Sequence, residues 1–214
     1  QYSYPLKTTT LNRDLSPQSS VYRGWLRLLP VQSLVDEYEC AGGHPYQQCE
    51  KLDCEYCKLR NNISDNGRYG EYEYRDPRLK STIITPGWEW KVNGVIKSVY
   101  GIEDPNSRDY LAKEPHSTGF LVTKWVDLEG EEVDATRSHK NMTIIRYADI
   151  LLMRAEALIE KNENTDEAVR LINEIRSRAG MPGIEMASQS VLREKLRHER
   201  RVEFAFEGLR YYDI

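Results

Sequence analysis

The sequence predicts a mainly α-helical protein in which a helical C-terminal third supports a loop-rich region with a few short β-strands. Two observations support this prediction. From residue 142 to residue 214, apolar residues recur at three- and four-residue spacing, the period of amphipathic helices. From residue 21 to residue 141, Gly, Pro, Asn and Asp interrupt short apolar runs, which is typical of loops and short strands.

The composition is that of a folded protein and argues against two classes of function. Of the 214 residues 39% are hydrophobic, and 30 basic residues against 34 acidic ones give a formal net charge of −4. Because no long basic run could follow a phosphate backbone, we expect no nucleic-acid partner. The chain as given contains no long apolar run, and its first ten residues lack the pattern of an export signal. We therefore expect it neither to span a membrane nor to carry its own signal.

The elements before residue 142 are predicted in order along the chain. Residues 1–20 are rich in Thr, Ser, Gln and Pro, and are expected to form an extended entry segment. The clearest strand covers residues 119–127, where side chains alternate between two faces, and weaker strands cover residues 81–85 and 95–100. Short strands of this kind would pin a region that is otherwise mostly loop.

Three amphipathic helices follow. The second is expected to begin with a cap formed by Asn164 and Glu167, and to stop at Gly180; the third is expected to run from about Ser190 to about Phe206. The first two helices have the length and short connector of one tetratricopeptide-like hairpin. Since one hairpin cannot bury both its faces, another element must pack on it. The predicted apolar face of the first helix consists of Ile144, Tyr147, Ala148, Leu151, Leu152, Ala155, Leu158 and Ile159.

Four cysteines, Cys40, Cys49, Cys54 and Cys57, lie within eighteen residues of one another. The spacing of Cys54 and Cys57 is that of half a zinc knuckle, which Cys49 and either Cys40 or the nearby His44 could complete. The same four sulfurs could instead form two disulfides that staple a loop with little core of its own. Disulfides are favoured if the chain is exported, and a zinc-binding structural module if it is cytosolic.

Two acids, Glu199 and Glu203, fall on the apolar face of the third helix. A buried carboxylate needs a partner, so we expect an ion network rather than a catalytic or metal-binding pair. The zinc-protease pattern would need a histidine where Val202 stands. No phosphate-binding loop, nucleophile elbow or Ser/His/Asp arrangement can be picked out in the sequence, and no cofactor is expected. The candidate partners are Arg146, Arg176, Arg178 and Arg210.

Aromatic side chains are the candidates for ligand contact. Of 21 aromatic rings, the 14 Tyr and 4 Trp combine an apolar face with a polar group, which suits wet surfaces and sugar faces. Trp88 and Trp90 follow a Pro-Gly turn and lie close to Asn93, whereas Tyr72 and Tyr74 form a second cluster. The tryptophans are interpreted as a stacking platform for a flat ligand such as a pyranose ring, or as an anchor for a protein partner. The alternative is a local mini-core over the strands, and the tyrosine cluster leaves the same alternatives open.

Three blocks in the helical region resemble the C-terminal signature of the SusD/RagB family. They are RYADILLMRAEA at residues 146–157, INEIRSRAGMP at residues 172–182 and HERRVEFAFEGLRYYD at residues 198–213. The segments at residues 29–36, 75–79 and 118–124 are similar to further landmarks of that family. The resemblance therefore extends over most of residues 21–214.

The resemblance implies a non-catalytic outer-membrane lipoprotein that captures oligosaccharide at the bacterial cell surface for a SusC-like TonB-dependent transporter. In some members the ligand is a peptide. It also implies a tetratricopeptide-like scaffold, a lipid anchor outside this chain, and a chain that is the central to C-terminal part of a longer protein. At the cell surface, disulfides among the four cysteines are preferred to zinc. The expected ligand-binding residues are Trp88, Trp90, Tyr72, Tyr74 and Asn93.

Overall fold

The parts of the chain that the computed structural model describes are residues 28–51, 53–61, 70–92, 95–99, 118–126 and 143–214. At residues 49–51, 61, 90–92, 95 and 97–99 only the backbone is described. The predicted entry segment and Asn93 therefore lie outside the described residues. The architecture is mainly α-helical, as the sequence predicts.

The helices and strands follow one another in a simple order. The helices are α1 (Gln32–Val35), α2 (Glu55–Asn61), α3 (Arg78–Thr82), α4 (Tyr147–Lys161), α5 (Thr165–Arg178), α6 (Gln189–Glu203) and α7 (Arg210–Asp213). Short 3-10 helices span Tyr46–Lys51 and Gly70–Tyr72. The strands are β1 (Ile83–Ile84), β2 (Glu89–Val92), β3 (Val95–Val99) and β4 (Leu121–Val122).

The chain divides into two compact units. The first comprises Gln1–Gln32 and Lys80–Met142, and contains the strands. The second comprises Ser33–Leu79 and Thr143–Ile214, and contains the three long helices together with the cysteine-bearing segment. Each unit is described by itself below.

The first unit contains two small antiparallel sheets. Strand β1 pairs with β4, with Ile83 opposite Val122, and β2 pairs with β3. The predicted strand over residues 119–127 is reduced to the two residues of β4. Gly119 has a positive φ of 85°, and the Val126 amide donates to the Thr123 carbonyl at 2.9 Å, so a bend precedes the strand and a turn follows it. The sequence does not predict β2, because a four-residue strand with a shift in register has no clear alternation.

The core of the second unit lies between α4, α5 and α6. The apolar side chains of α5 at Ala168, Leu171, Ile172 and Ile175 are buried, and α6 supplies Leu192 and Leu196. The third helix is therefore one of the elements that cover the hairpin. The predicted face of α4 was wrong at its start. Ile144 and Tyr147 are 87% and 69% exposed, because the helix begins only at Tyr147 and its buried face begins at Ala148. The cluster consists of Ala148, Leu151, Leu152, Ala155, Ile159, Ala168, Val169, Leu171, Ile172, Ile175, Leu192, Leu196 and Phe204.

The turn between α4 and α5 differs from the predicted cap. Asn162 and Asn164 both have left-handed backbones, with φ of 55° and 48°, and the Asn164 side chain makes no cap hydrogen bond. A capping side chain requires an extended backbone at the cap residue, which this tight turn does not provide. Asparagine is nevertheless a suitable residue here, because its short polar side chain tolerates positive φ.

The end of α5 follows the prediction. Gly180 has a φ of 76°, and its amide donates to the Ser177 carbonyl at 3.0 Å. The Met181 amide donates to the Arg176 carbonyl at 2.8 Å, and the Met181 side chain is buried. These paired bonds form a Schellman motif, in which glycine provides the left-handed residue. The motif turns the chain out of α5 towards α6.

Within the described residues, every helix is too short or too polar to cross a bilayer.

Candidate ligand-binding site

The predicted tryptophans lie at and just after a turn in the first unit. The Trp88 amide donates to the Thr85 carbonyl at 3.1 Å, and Gly87 between them has a φ of 90°. The Trp88 side chain is half-buried. Trp90 lies in β2 opposite Ser98, with an irregularity in register directly after it. The Trp90 side chain and the whole of Asn93 lie outside the described part of the chain.

The predicted tyrosines lie in the second unit and differ in environment. Tyr72 is only 8% exposed, and burial, reinforced by Glu71, raises its pKa far above the usual value for a phenol. Tyr74 is 43% exposed and has a positive φ of 53°. The Tyr74 side chain is thus accessible to a ligand, whereas the Tyr72 side chain is packed in the interior of the unit.

A groove that sequence reasoning missed lies in the second unit between the 3-10 helix Tyr46–Lys51 and α6. It is called the polar groove below after its amide and charged side chains, although apolar atoms form most of its surface. Its volume is about 690 Å³, within the usual range for small-ligand sites. Amide side chains line one wall, and an exposed face of α6 lines the other. Residues that shape the groove include Asp36, Tyr46, Gln47, Gln48, Val191 and Lys195.

Internal partners neutralise much of the charge at the base of the groove. Arg201 Nη1 donates to Glu37 Oε1 at 2.6 Å, and Arg176 Nη2 donates to Glu39 Oε2 at 2.7 Å. His198 Nε2 lies 2.7 Å from the Glu37 carbonyl oxygen, a contact that places the ring proton on Nε2. The groove therefore presents amides, hydroxyls and mixed charge rather than a strong field of one sign.

The tyrosine of the groove has one ring face already covered. The guanidinium of Arg75 lies 3.8 Å from the centre of the Tyr46 ring, and that of Arg60 lies 4.8 Å from it. Arg75 is buried and also donates to the carbonyls of Val35 and Tyr38, at the end of α1. Arg75 therefore fixes the wall of the groove, and Tyr46 contributes a rigid edge rather than a bare stacking face.

These groove residues carry a weak sequence signal. Gln47 and Gln48 lie between cysteines in a segment without periodicity, and Lys195 looks like an ordinary solvent-facing helix residue. The run Tyr46-Gln47-Gln48, an aromatic ring followed by two amides, is the pattern that could have indicated them.

The two acids of α6 form the predicted ion network. Glu199 Oε1 accepts from Arg78 Nη1 at 2.5 Å, and Glu199 Oε2 accepts from Arg176 Nη1 at 3.0 Å. Glu203 Oε1 accepts from Arg146 and Arg178, each at 2.5 Å. The prediction of an ion network is confirmed for Arg146, Arg176 and Arg178. It missed Arg78, and it was wrong for Arg210, which is exposed and makes none of these contacts in the described residues. The oxygens of both carboxylates are therefore occupied by arginines, and the two acids stabilise the fold.

The missed partner belongs to the RDPRL segment at residues 75–79. Asp76 accepts from the Arg78 backbone amide at 2.9 Å and also pairs with its guanidinium at 2.7 Å. Burial alone would lower the pKa of Arg78, but the Asp76 hydrogen bond and the Glu199 charge outweigh it and raise the pKa. Asp76 thus starts α3 and directs Arg78 towards α6.

Arg78 Nη1 also donates to Glu203 Oε2, at 2.9 Å. Burial alone would raise the pKa of Glu203, but Arg146 above all, helped by Arg78 and Arg178, lowers it to about 2. Glu203 is therefore charged throughout the neutral range.

Among the described residues, the side chains that lie close enough together to hold a metal ion belong to the cysteine segment. The sulfurs of Cys40, Cys54 and Cys57 lie within 4.8 Å of one another and are all buried. Cys57 is in a disulfide, whereas Cys40 and Cys54 are free thiols whose sulfurs are 3.7 Å apart. The Cys49 side chain lies outside the described part. With the Cys57 sulfur already bonded, this group offers zinc two thiolates rather than three.

Comparison with known proteins gives consistent matches. The profile of the SusD family matches residues 3–214. SusD-like protein P38 of Formosa agariphila is 26% identical over 191 residues, which is 73% of this chain and 38% of that protein.

Two solved structures are similar over nearly the whole chain. A SusD-like protein from Bacteroides fragilis is 31% identical with a TM-score of 0.71, and the match covers 100% of this chain and 41% of that one. A SusD-like carbohydrate-binding protein from the same species is 28% identical with a TM-score of 0.71, covering 95% of this chain and 38% of that one. The chain thus spans less than half the length of these relatives.

Proposed function

The chain belongs to the SusD family, and from this premise we propose that it captures oligosaccharides by non-covalent binding, without catalysing a reaction on them. The observation that carries the proposal is the family match over residues 3–214. The similarity to a B. fragilis carbohydrate-binding protein over 95% of this chain supports the choice of ligand class.

The first binding surface is the ring-bearing segment of the first unit. Trp88, Trp90 and Asn93 combine indole faces with an amide, and the apolar C–H face of a sugar packs on an indole while its hydroxyls bond to amides. Tyr74 offers a similar exposed ring in the second unit. Tyr72, being buried, supports its surroundings rather than contacting the ligand.

The second binding surface is the polar groove. Because Glu37 and Glu39 are paired with arginines, the groups that a ligand could contact include the Gln48 amide and the amide oxygen of Gln47, whose nitrogen donates to Asp36 Oδ2 at 3.4 Å. Amides donate and accept hydrogen bonds at once, as sugar hydroxyls do. A neutral oligosaccharide is therefore a better fit to this groove than a strongly charged ligand.

The proposal extends to uptake. The protein would act at the outer-membrane surface, held by a lipid anchor, and would pass its ligand to a SusC-like TonB-dependent transporter. Co-purification of the chain with such a transporter from detergent-solubilised outer membranes is the expected result. Recovery of the transporter in equal amount from a mock purification without the chain would contradict this part of the proposal.

Titration of the intrinsic tryptophan fluorescence tests the ligand class. Neutral oligosaccharides from several polysaccharides and a set of peptides are compared on the whole chain. We expect saturable fluorescence changes with at least one oligosaccharide. The Trp88→Ala variant and the double variant Gln47→Ala, Gln48→Ala should each weaken binding by roughly tenfold, the size expected when a stacking or amide contact is lost.

The matched control is Arg170→Ala, an exposed position on α5 that does not line the groove. It should bind as the unmodified chain does. Fluorescence changes with peptides alone would move the protein to the peptide-binding branch of the family. Unchanged affinity in both site variants would leave the two proposed surfaces without a role.

A further inference from the structure

The cysteine segment contains a preformed pair of thiols. Cys40 and Cys54 are both buried, and their sulfurs lie 3.7 Å apart. A disulfide bond is about 2.05 Å long, so the pair is already in contact but not bonded. The surroundings are closely packed, because a Cβ added at Gly42 would lie 3.2 Å from the Cys54 sulfur and 3.5 Å from the Cys40 sulfur.

The backbones on both sides of the pair are held in place. Cys40 forms an isolated β-bridge with Arg75, and its amide donates to the His44 carbonyl at 3.0 Å. Cys54 lies directly before α2, where its carbonyl accepts from the Lys58 amide at 3.1 Å. Because these bonds fix both cysteines, the approach of the two sulfurs is a property of the folded segment.

We infer that Cys40 and Cys54 form a disulfide in an oxidising compartment, as a second cross-link beside the one that contains Cys57. Its formation joins the two Sγ atoms and releases two protons and two electrons. A disulfide oxidant, such as an oxidised thiol–disulfide oxidoreductase of the export route, accepts them and is reduced to two thiols. This inference does not depend on the proposed function.

Zinc is disfavoured by the same geometry. A structural zinc ion usually takes four ligands, with three or four thiolates in the cysteine-rich sites. The Cys57 sulfur is in a disulfide, which leaves Cys40 and Cys54 as the free thiols of the group.

The cross-link would close residues 41–53 into a loop. This loop contains Tyr46, Gln47 and Gln48, which line the polar groove. The disulfide would join the two ends of the segment that forms this wall. The contact between Tyr46 and Arg75 holds the middle of the same segment. The disulfide would keep the wall in place even when the surrounding helices fluctuate.

Disulfide mapping on the whole chain, exported to an oxidising compartment, tests the inference. The protein is alkylated under denaturing conditions without reduction and then digested. Chymotrypsin cuts after Tyr46 and Tyr56, and a glutamate-specific protease cuts after Glu50 and Glu55, so each cysteine falls on its own peptide. We expect a linked pair of peptides that joins Cys40 to Cys54, with neither residue alkylated.

Three results would overturn the inference: alkylation of Cys40 or Cys54 in the unreduced protein, a bond from either to another cysteine, or stoichiometric zinc with four thiols that become alkylated once the metal is removed.

Thermal unfolding gives a second test. The variants Cys40→Ser and Cys54→Ser and the double variant should all lower Tm by roughly the same 5–10 °C, because each removes the same bond. Losses that add in the double variant would mean that the sulfurs act by packing alone, and would also overturn it.

Discussion

Glu203 shows how the charge of one residue controls the stability of the helical unit. Its side chain is 3% exposed and accepts hydrogen bonds from Arg78, Arg146 and Arg178. Its pKa falls from the ordinary 4.5 to about 2, a difference worth about 3 kcal/mol of stability. Because the folded pKa is lowered, this stability is present above pH 4.5 and is lost as the pH falls towards 2.

The variant Glu203→Gln should therefore lose about 3 kcal/mol of unfolding free energy at pH 7. The difference in unfolding free energy between the variant and the unmodified chain should shrink as the pH falls from 4.5 to about 2, because the unmodified carboxylate also becomes neutral over this range. Urea unfolding at a series of pH values measures both effects. Glu163→Gln, which removes an exposed ion pair with Lys161, is the control and should change stability by less than about 0.5 kcal/mol. A deficit independent of pH would contradict the account.

Arg78 is the second residue whose chemistry can be tested. It pairs with Asp76 through two nitrogens and with Glu199 and Glu203 through a third. Lysine keeps the charge but has no planar fork, so it cannot make these contacts together. Arg78→Lys should therefore destabilise the fold by about 2–4 kcal/mol, since it leaves buried carboxylates partly unpaired.

Chemical unfolding of Arg78→Lys beside Arg170→Lys provides the comparison. Arg170 is exposed and lies 3.7 Å from Glu174 on the same helix, so its replacement should be nearly neutral. Equal effects of the two substitutions would mean that positive charge alone, and not the guanidinium fork, is what α6 requires.

The end of α5 is the element with the most specific backbone requirement. Gly180 is left-handed, and a Cβ there would meet only Pro77, at an ordinary 3.8 Å. The cost of a side chain is therefore conformational rather than steric. Gly180→Ala should destabilise by about 1 kcal/mol, and Gly180→Asn by less, because asparagine tolerates this conformation. Thermal unfolding of the two variants distinguishes them, and an alanine variant as stable as the unmodified chain would contradict the Schellman assignment.

The packing of α6 on the hairpin is also open to test. Leu196 is almost fully buried in the three-helix core, whereas Met153 lies on the exposed face of α4. Leu196→Ala should cost about 3 kcal/mol, and Met153→Ala less than about 1 kcal/mol. Denaturant midpoints measure the difference, and similar costs for both would mean that α6 does not close this core.

The helices could be predicted from the sequence because their apolar period is long and regular. The buried faces of α5 and α6 follow directly from this period, and the stop at Gly180 follows from the glycine itself. The predicted cap at Asn164 was wrong, because whether an asparagine serves as a cap or as a left-handed residue depends on the length of the turn. The partner Arg78 lies 121 residues before Glu199, and periodicity contains no information about such a contact.

The candidate site was less predictable than the helices. The sequence correctly places Trp88 after a turn. It does not predict the strand that contains Trp90, because a four-residue strand with a register shift has no clear alternation. The groove depends on residues from the Tyr46–Lys51 segment and α6 that meet only in the folded chain. Its amides therefore could not be identified from spacing alone.

At the scale of the whole molecule, the helical unit is built on an internal ion network and a buried three-helix core, and its polar groove is open to solvent. The disulfide of Cys57 and the contact of Arg75 with Tyr46 stiffen the segment that forms the groove wall. A rigid wall would reduce the ordering cost of binding the ligand proposed for this groove.

The central claim is that this chain binds neutral oligosaccharides and returns them unchanged. Isothermal titration calorimetry of the whole chain against a panel of oligosaccharides, followed by chromatography of the recovered sugar, tests it most directly. The account predicts saturable heat with at least one oligosaccharide, and a recovered sugar of unaltered length. Absence of heat with every sugar on the panel, or recovery of shortened sugar, would contradict it.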